Sequence, residues 1–232
     1  MKGIIFGNKH SFDDLDLILN SKEIPLPDPK TYTLDVPGAD GQLDLSTALT
    51  GGYMTYKNRE LQFNFTINKP FEQWEQVKSK VAAFLHGKTM KVQVEADEGF
   101  YYYGRCWISN QATKNPKATL TISVDADPYK YDVLDSTERT EWEGFDGNPL
   151  SWNAEITVAD DTTTIVPPQK MRVVPTINVS DDMTLVYKTT QHALYAGDNI
   201  IPSVVLTENQ ADNTLEFLGT GTATINFRGG VL

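Results

Sequence analysis

Cysteine is nearly missing from this chain of 232 residues. The single thiol, Cys106, excludes an internal disulfide and any zinc site built on a cysteine pair. It sits in the aromatic run Phe100-Tyr101-Tyr102-Tyr103-Gly104-Arg105-Cys106-Trp107-Ile108. A small buried hydrophobe is the ordinary reading there, with a reactive thiol as the alternative. The lack of a disulfide framework suits folding in a reducing cytosol. Basic residues are also short: 20 Lys and Arg stand against 31 Asp and Glu, a formal charge of −11. That balance argues against a grip on nucleic-acid phosphates and against an anionic membrane surface. No apolar run approaches the roughly 20 residues of a membrane helix. The first residues carry no apolar core of signal-peptide length.

Signatures of chemistry are equally scarce. His10, His86 and His192 lie far apart and show no ligand spacing. No G-x-S-x-G elbow or phosphate-binding loop occurs. Gly219-Thr220-Gly221 runs into strand-like Ala223 to Phe227, where a dinucleotide fingerprint needs a helix. Asp35, Asp40 and Asp44 around Gly41 miss the calcium-loop spacing. Carboxylates pair at Asp13-Asp14, Asp97-Glu98, Asp125 with Asp127, Asp160-Asp161 and Asp181-Asp182. Most fall where turns are expected, and turns favour Asp. A hydrolase working through one such pair is a third-ranked reading, because nothing selects a pair. The expectation is a chain with no catalytic, cofactor-binding or metal residues.

What is present is strand periodicity. Leu61-Phe63-Phe65-Ile67, Met90-Val92-Val94 and Ala118-Leu120-Ile122-Val124 each alternate with polar residues. This is the pattern of strands with one buried face. One segment departs from it. Phe71, Trp74, Val77, Val81, Phe84 and Leu85 recur at helical spacing, predicting a helix over about 70–86. Asn68 stands as the cap, Pro70 in the first turn and Gly87 as the left-handed stop. Between about 21 and 56 neither period holds for long. Pro25, Pro27, Pro29 and Pro37 stiffen this stretch and remove ladder donors. A connection of this length is rarely idle. It reads as an extended arm that packs on a neighbouring subunit, with an edge hairpin near Asp44 to Tyr56 turning at Gly51-Gly52.

A boundary falls at about residue 132, giving domains 1–132 and 133–232. Beyond it come an acidic stretch and then short strands with turn signals between them, the look of a β-sandwich. They are expected at Trp152 to Val158, Met171 to Val173, Ile177 to Val179, Thr184 to Tyr187, Ile200 to Leu206, Leu215 to Leu218 and Thr222 to Phe227. Trp142, Phe145 and Trp152 flank the segment Glu141 to Ser151. Three readings stand open for these rings: core, an anchor in a protein interface, or a platform that stacks on sugar.

The order of pieces carries a resemblance. Ile4-Ile5-Phe6, the Ser11 to Leu17 segment, Val36-Pro37-Gly38 to Leu45 and Asn58-Arg59 come first. The helix bearing Trp74, Asp127-Pro128-Tyr129 and the final Ile225 to Leu232 follow. Together they resemble the distal tail proteins of siphophages, over residues 1 to about 132 and more sparsely after. The resemblance implies a mainly β chain: an N-terminal tail-tube-like β-sandwich with one helix, and a C-terminal galectin-like β-sandwich. It implies a hexameric ring that joins the tail tube protein to the tail-associated lysin or fibre hub. Receptor-binding or baseplate proteins would attach to the second domain. The location implied is the virion tail tip, assembled in the host bacterial cytoplasm, with no enzyme activity, no cofactor and no membrane. DNA would pass through the ring without specific binding, and the acidic balance suits such a passage. The competing reading is a carbohydrate-binding module that contributes to host-surface adsorption.

Overall fold

The computed structural model describes residues 3–114, 117–143 and 149–232. The chain divides into two compact units, Met1–Lys130 together with Leu232, and Tyr131–Val231. It is mainly β with a single α-helix among the described residues, the fold class read from the sequence.

The first unit contains β1 (Ile4–Phe6), β2 (Lys9–His10), β3 (Leu17–Glu23), β4 (Thr33–Asp35), β5 (Gln42–Asp44) and β6 (Arg59–Ile67). Helix α1 (Trp74–Leu85), β7 (Thr89–Val94), β8 (Phe100–Lys114) and β9 (Lys117–Ala126) follow. The strands pair in the order β2-β1-β7-β8-β9-β6-β3, with β4 and β5 apart as a separate ribbon. Alternation sets which face is buried. In β6, Leu61, Phe63, Phe65 and Ile67 are buried and the residues between them reach solvent or its margin. In β9, Ala118, Leu120, Ile122 and Val124 are buried likewise, but Ser123 between them is buried too, its hydroxyl donating to that of Ser109 at 2.9 Å. Register shifts between Leu19 and Ser21 in β3, and between Ile108 and Asn110 in β8, put one extra residue into each strand. Such bulges bend and twist a strand, which helps a sheet curl around its own core. Gly104 is required where β8 pairs with β9, opposite Ala126. A Cβ there would collide with the Asp125 carbonyl oxygen and the Ala126 Cα, which are backbone atoms that cannot step aside.

The helix forms where the spacing predicts it, with two corrections. Its apolar stripe is Trp74, Val77, Val81 and Leu85, all buried in the same core as Phe6, Phe63 and Phe65. Phe71 is not part of that stripe. It lies in a preceding 3-10 turn (Phe71–Gln73), is 63% exposed, and meets the Trp74 ring edge-on at 5.0 Å. Asn68 does not cap the helix, which has no side-chain cap; its N–H donates instead to the Asp16 carbonyl at 2.8 Å. Gly87 adopts φ +80°, and its N–H bonds the Cys106 carbonyl at 2.8 Å, tying the helix end to β8.

A short strand, β10 (Lys130–Asp132), spans the division. The second unit holds β11 (Glu141–Glu143), β12 (Pro149–Ser151), β13 (Glu155–Ile165), β14 (Thr176–Val179), β15 (Met183–Tyr187), β16 (Thr190–Leu194), β17 (Gly197–Ile200), β18 (Thr214–Asn226) and β19 (Gly230–Val231). Strand β18 organises it. One edge pairs with β13 along the whole of that strand. The other edge pairs with β15 through Leu215–Leu218, then with β14 through Ala223–Asn226. Gly219 and Gly221 sit at the exchange with φ +142° and +143°. A side chain on either would meet Met183, or Ser180 and Asp181. The two strands expected at Leu215 to Leu218 and Thr222 to Phe227 are therefore one, bent at glycines that allow close backbone approach. Asp160-Asp161 lies inside β13 rather than at a turn, with Asp160 at φ +62° opposite Gly219. Two further expectations fail. Met171 to Val173 is not a strand, and of Ile200 to Leu206 only Ile200 is, as the end of β17; a single bridge joins Val173 to Leu206, because Pro175 and Pro202 interrupt ladder bonding on either side.

Candidate assembly surface

The segment between β3 and β6 leaves the sheet as a two-stranded excursion. The Lys57 N–H donates to the Asp28 carbonyl at 2.8 Å, and the Lys30 N–H to the Thr55 carbonyl at 2.8 Å. These bonds flank the Pro29–Tyr56 bridge, so Pro29 occupies a position that needs no donor. The Leu45 N–H donates to the Tyr32 carbonyl at 2.8 Å, and β4 and β5 then pair Thr33 with Asp44, Leu34 with Leu43 and Asp35 with Gln42. Their turn spans residues 36–41, where Pro37 fixes its own φ and Gly38 and Gly41 take φ +83° and +75°.

The hairpin thus lies at Thr33–Asp44 rather than between Asp44 and Tyr56. Gly51-Gly52 instead ends a coiled turn in which the Gly52 N–H reaches back to the Thr47 carbonyl at 3.2 Å. Of the four prolines, Pro25 and Pro29 are exposed at the arm's root, Pro27 is buried there, and Pro37 is exposed at its tip.

The arm's surface is unusual. Every residue of β4 and β5 is exposed. Leu34 and Leu43 face each other across the ribbon, 46% and 50% exposed. Leu26, Tyr32, Val36, Leu49 and Met54 add further exposed apolar area. A lone two-stranded ribbon is marginal in water, and clustered apolar exposure marks a contact surface. The sequence offered little warning, because Leu34 and Leu43 are single apolar residues between polar ones.

At the arm's root, Tyr56 meets Tyr129 edge-on at 6.0 Å. Arg59 is 4% exposed, with its guanidinium 4.9 Å above the Tyr102 ring. Burial pushes the Arg59 pKa down and the Tyr102 hydroxyl up, the latter opposed by the Arg59 charge.

Trp142 and Trp152 are brought together, but inside. Each is 7% exposed, and their rings lie 5.3 and 6.3 Å from that of Phe227. Arg139 covers the Trp142 face at 4.6 Å and pairs with Asp132 at 3.0 Å. Burial raises the Asp132 pKa against the pull of Arg139. Of the three open readings the structure takes the core one for both tryptophans, since neither presents a ring face to a sugar or a partner. Phe145 lies outside the described residues.

Several of the remaining candidates have local partners. The His10 side chain pairs with Asp13 at 2.8 Å and stands 3.5 Å from Glu95. His86 Nδ1 accepts the Ile108 N–H at 3.2 Å. Asp44 accepts the Ser46 N–H and hydroxyl, which hold its carboxyl below the usual range. Among the described residues no three His, Cys, Asp or Glu side chains group as metal ligands. Cys106 is fully buried, and burial pushes its thiol up to about 12. The folded protein is therefore expected to leave Ellman's reagent unreacted at about pH 8, while urea exposes the thiol. Rapid labelling without denaturant would restore the reactive-thiol alternative.

Charge is divided unevenly. The first unit has 15 basic against 16 acidic residues, the second 5 against 15. The overall −11 therefore lies almost wholly in the second unit, and gives no support to an acidic passage lined by the first.

No family model matches the chain, and no curated protein does. Among solved structures the chain is similar to the crystal structure of SPP1 Dit (gp 19.1), described as a paradigm of the hub adsorption apparatus in Gram-positive infecting phages. The likeness covers 100% of both chains with a TM-score of 0.64 at 14% sequence identity. It gives this chain the fold of that protein from end to end.

Proposed function

We propose that this chain is a structural part of a bacteriophage tail tip, an assembly component rather than an enzyme. The observation that carries the proposal is the arm, a hairpin with both faces uncovered that projects from a sheet otherwise able to bury its own core. The full-length likeness in fold to SPP1 Dit supports the same reading. The first domain, about 1–132, forms a ring of six copies, each arm lying on its neighbour. Proline stiffening at Pro25, Pro27, Pro29 and Pro37 lowers the entropy lost when the arm docks. One face of the ring meets the tail tube protein, and the other meets the tail-associated lysin or fibre hub. The second domain, about 133–232, is a galectin-like sandwich that holds receptor-binding or baseplate proteins. The particle is assembled in the bacterial cytoplasm, and DNA passes through the ring without sequence-specific contact. The carbohydrate-binding alternative loses its stacking platform, since Trp142 and Trp152 are core residues.

Negative-stain electron microscopy with sedimentation velocity on the full chain, alone and mixed with a tail tube protein, tests this. Rings of six, single or stacked, are the expected outcome. Monomers at high concentration in both samples would overturn it.

A further inference from the structure

We propose that the open edge of β17 takes an extended, lysine- or arginine-bearing segment of a partner protein as an added strand. The inference rests on the reading of the second domain as the part that holds other proteins, and it names the place and the partner's chemistry. Strand β17 pairs with β14 alone, and no strand covers its other edge among the described residues. Register shows which backbone groups are left over. The Ser180 N–H donates to the Thr222 carbonyl, continuing the β14–β18 ladder, while the Ile225 N–H turns the other way, to the Ala154 carbonyl. Bonding alternates along an antiparallel strand, so Thr176 and Asn178 turn their backbone to β18, and Ile177 and Val179 turn theirs to β17. Gly197 and Asn199 stand opposite that second pair and complete the ladder. The N–H and C=O groups of Asp198 and Ile200 therefore point off the sheet, with a fixed spacing that an added strand can join.

The outer edges of β13, β16 and β17 all stand open among the described residues. Asp160, in left-handed backbone at φ +62°, breaks the run of β13, and β16 has no exposed large apolar residue. Strand β17 is bracketed by two. Tyr195 and Ile200 are 68% and 67% exposed, the most exposed large apolar side chains of the unit among the described residues. Ile200 stands opposite Thr176 on the solvent face, where alternation calls for a polar residue. The turn ahead of the strand is already fixed. Asn199 Oδ1 accepts the Tyr195 N–H at 3.0 Å, and its Nδ2 donates to the Tyr195 and Gly197 carbonyls at 2.7 and 2.9 Å. A surface held in place this way loses little entropy on docking. Charge selects the partner. Asp181, Asp182 and Asp198 lie in or beside this edge, with Asp182 accepting the Ala196 N–H at 2.9 Å, and no Lys or Arg occurs in 176–182 or 195–200. Of the unit's 5 basic residues, Arg139, Lys188 and Arg228 already pair with Asp132, Asp212 and Asp135. An approaching strand gains from cations of its own and loses from carboxylates.

The test pans a displayed library of random short peptides on the full chain and measures each selected peptide by fluorescence anisotropy. Selected sequences are expected to alternate β-branched or aromatic residues with Lys or Arg, and to bind more weakly as salt rises. Ile200→Ser and Tyr195→Ser are each expected to weaken binding about tenfold at an unchanged melting temperature. Ile165→Ser, at an apolar side chain 52% exposed elsewhere in the unit, is expected to leave binding as it was. Methylating the backbone nitrogens of alternate peptide residues removes the donors along one edge only. One of the two alternating sets should therefore abolish binding and the other should spare it. Peptides that bind alike with either set methylated, that ignore Ile200→Ser, or that are acidic would overturn the proposal, as would a library that yields no binder. The tail-tip reading stands or falls separately, by the rings of six, which the β17 variants are expected to form as the parent does.

Discussion

Changing Leu34 and Leu43 together to serine is expected to abolish ring formation while leaving the fold intact. Full burial of a leucine side chain is worth about 1.5–3 kcal/mol. These two are already about half covered, at 46% and 50% exposure, so docking gains roughly the other half from each. Together they supply about 2 kcal/mol at each interface, a weakening of about 30-fold when both are lost. A closed ring needs every interface at once, so its population falls far more steeply than the pairwise constant. The free chain gives up little, because neither leucine touches the core and exposed substitutions usually stay within about 0.5 kcal/mol. Sedimentation velocity should show the ring species lost, with the melting temperature within a degree or two of the parent. Rings that persist would mean the hairpin is not the assembly surface. A large drop in melting temperature would mean it belongs to the fold of the single chain.

The parts legible in the sequence are those governed by local period. Alternation from Leu61 to Ile67 and from Ala118 to Val124 marks β6 and β9 because one face of each is buried over its whole length. Trp74, Val77, Val81 and Leu85 mark the helix for the same reason, at a different period. Phe71 misleads because its place in the period is right while the backbone there is a 3-10 turn. Strand β18 misleads the other way. Gly219 and Gly221 look like punctuation, yet they let Met183 and the Ser180-Asp181 turn lie against an unbroken strand. The burial of Trp142 and Trp152 is set by Phe227, a neighbour far along the chain that no local pattern reveals. The arm was legible as an arm through its prolines. Its hairpin was not, since Thr33-Leu34-Asp35 and Gln42-Leu43-Asp44 are too short to show a period. Arg59 was visible as part of Asn58-Arg59, but its burial against Tyr102 exists only in three dimensions.

Phe63→Ala carries the opposite expectation to the hairpin change, and the contrast separates folding from assembly. Phe63 is fully buried in the middle of β6, and its ring meets that of Phe6 edge-on at 6.0 Å. Phe6 is also packed on Phe65 at 6.2 Å, so removing one ring leaves a gap that its neighbours can fill only by shifting two strands. Strand β6 is held on both edges, by β3 and β9, which limits that shift. Truncating a buried phenylalanine costs about 3–5 kcal/mol, against a total stability of about 5–15 kcal/mol for a typical domain. Urea denaturation should show the first unit's midpoint falling steeply, with ring formation lost only as far as the folded fraction is lost. A change under about 1 kcal/mol would mean that the sheet relaxes around the gap, and that β6 is not clamped as its pairing indicates. A ring lost while the unit remains fully folded would place the assembly contact on the sheet itself, in conflict with an arm that does the docking.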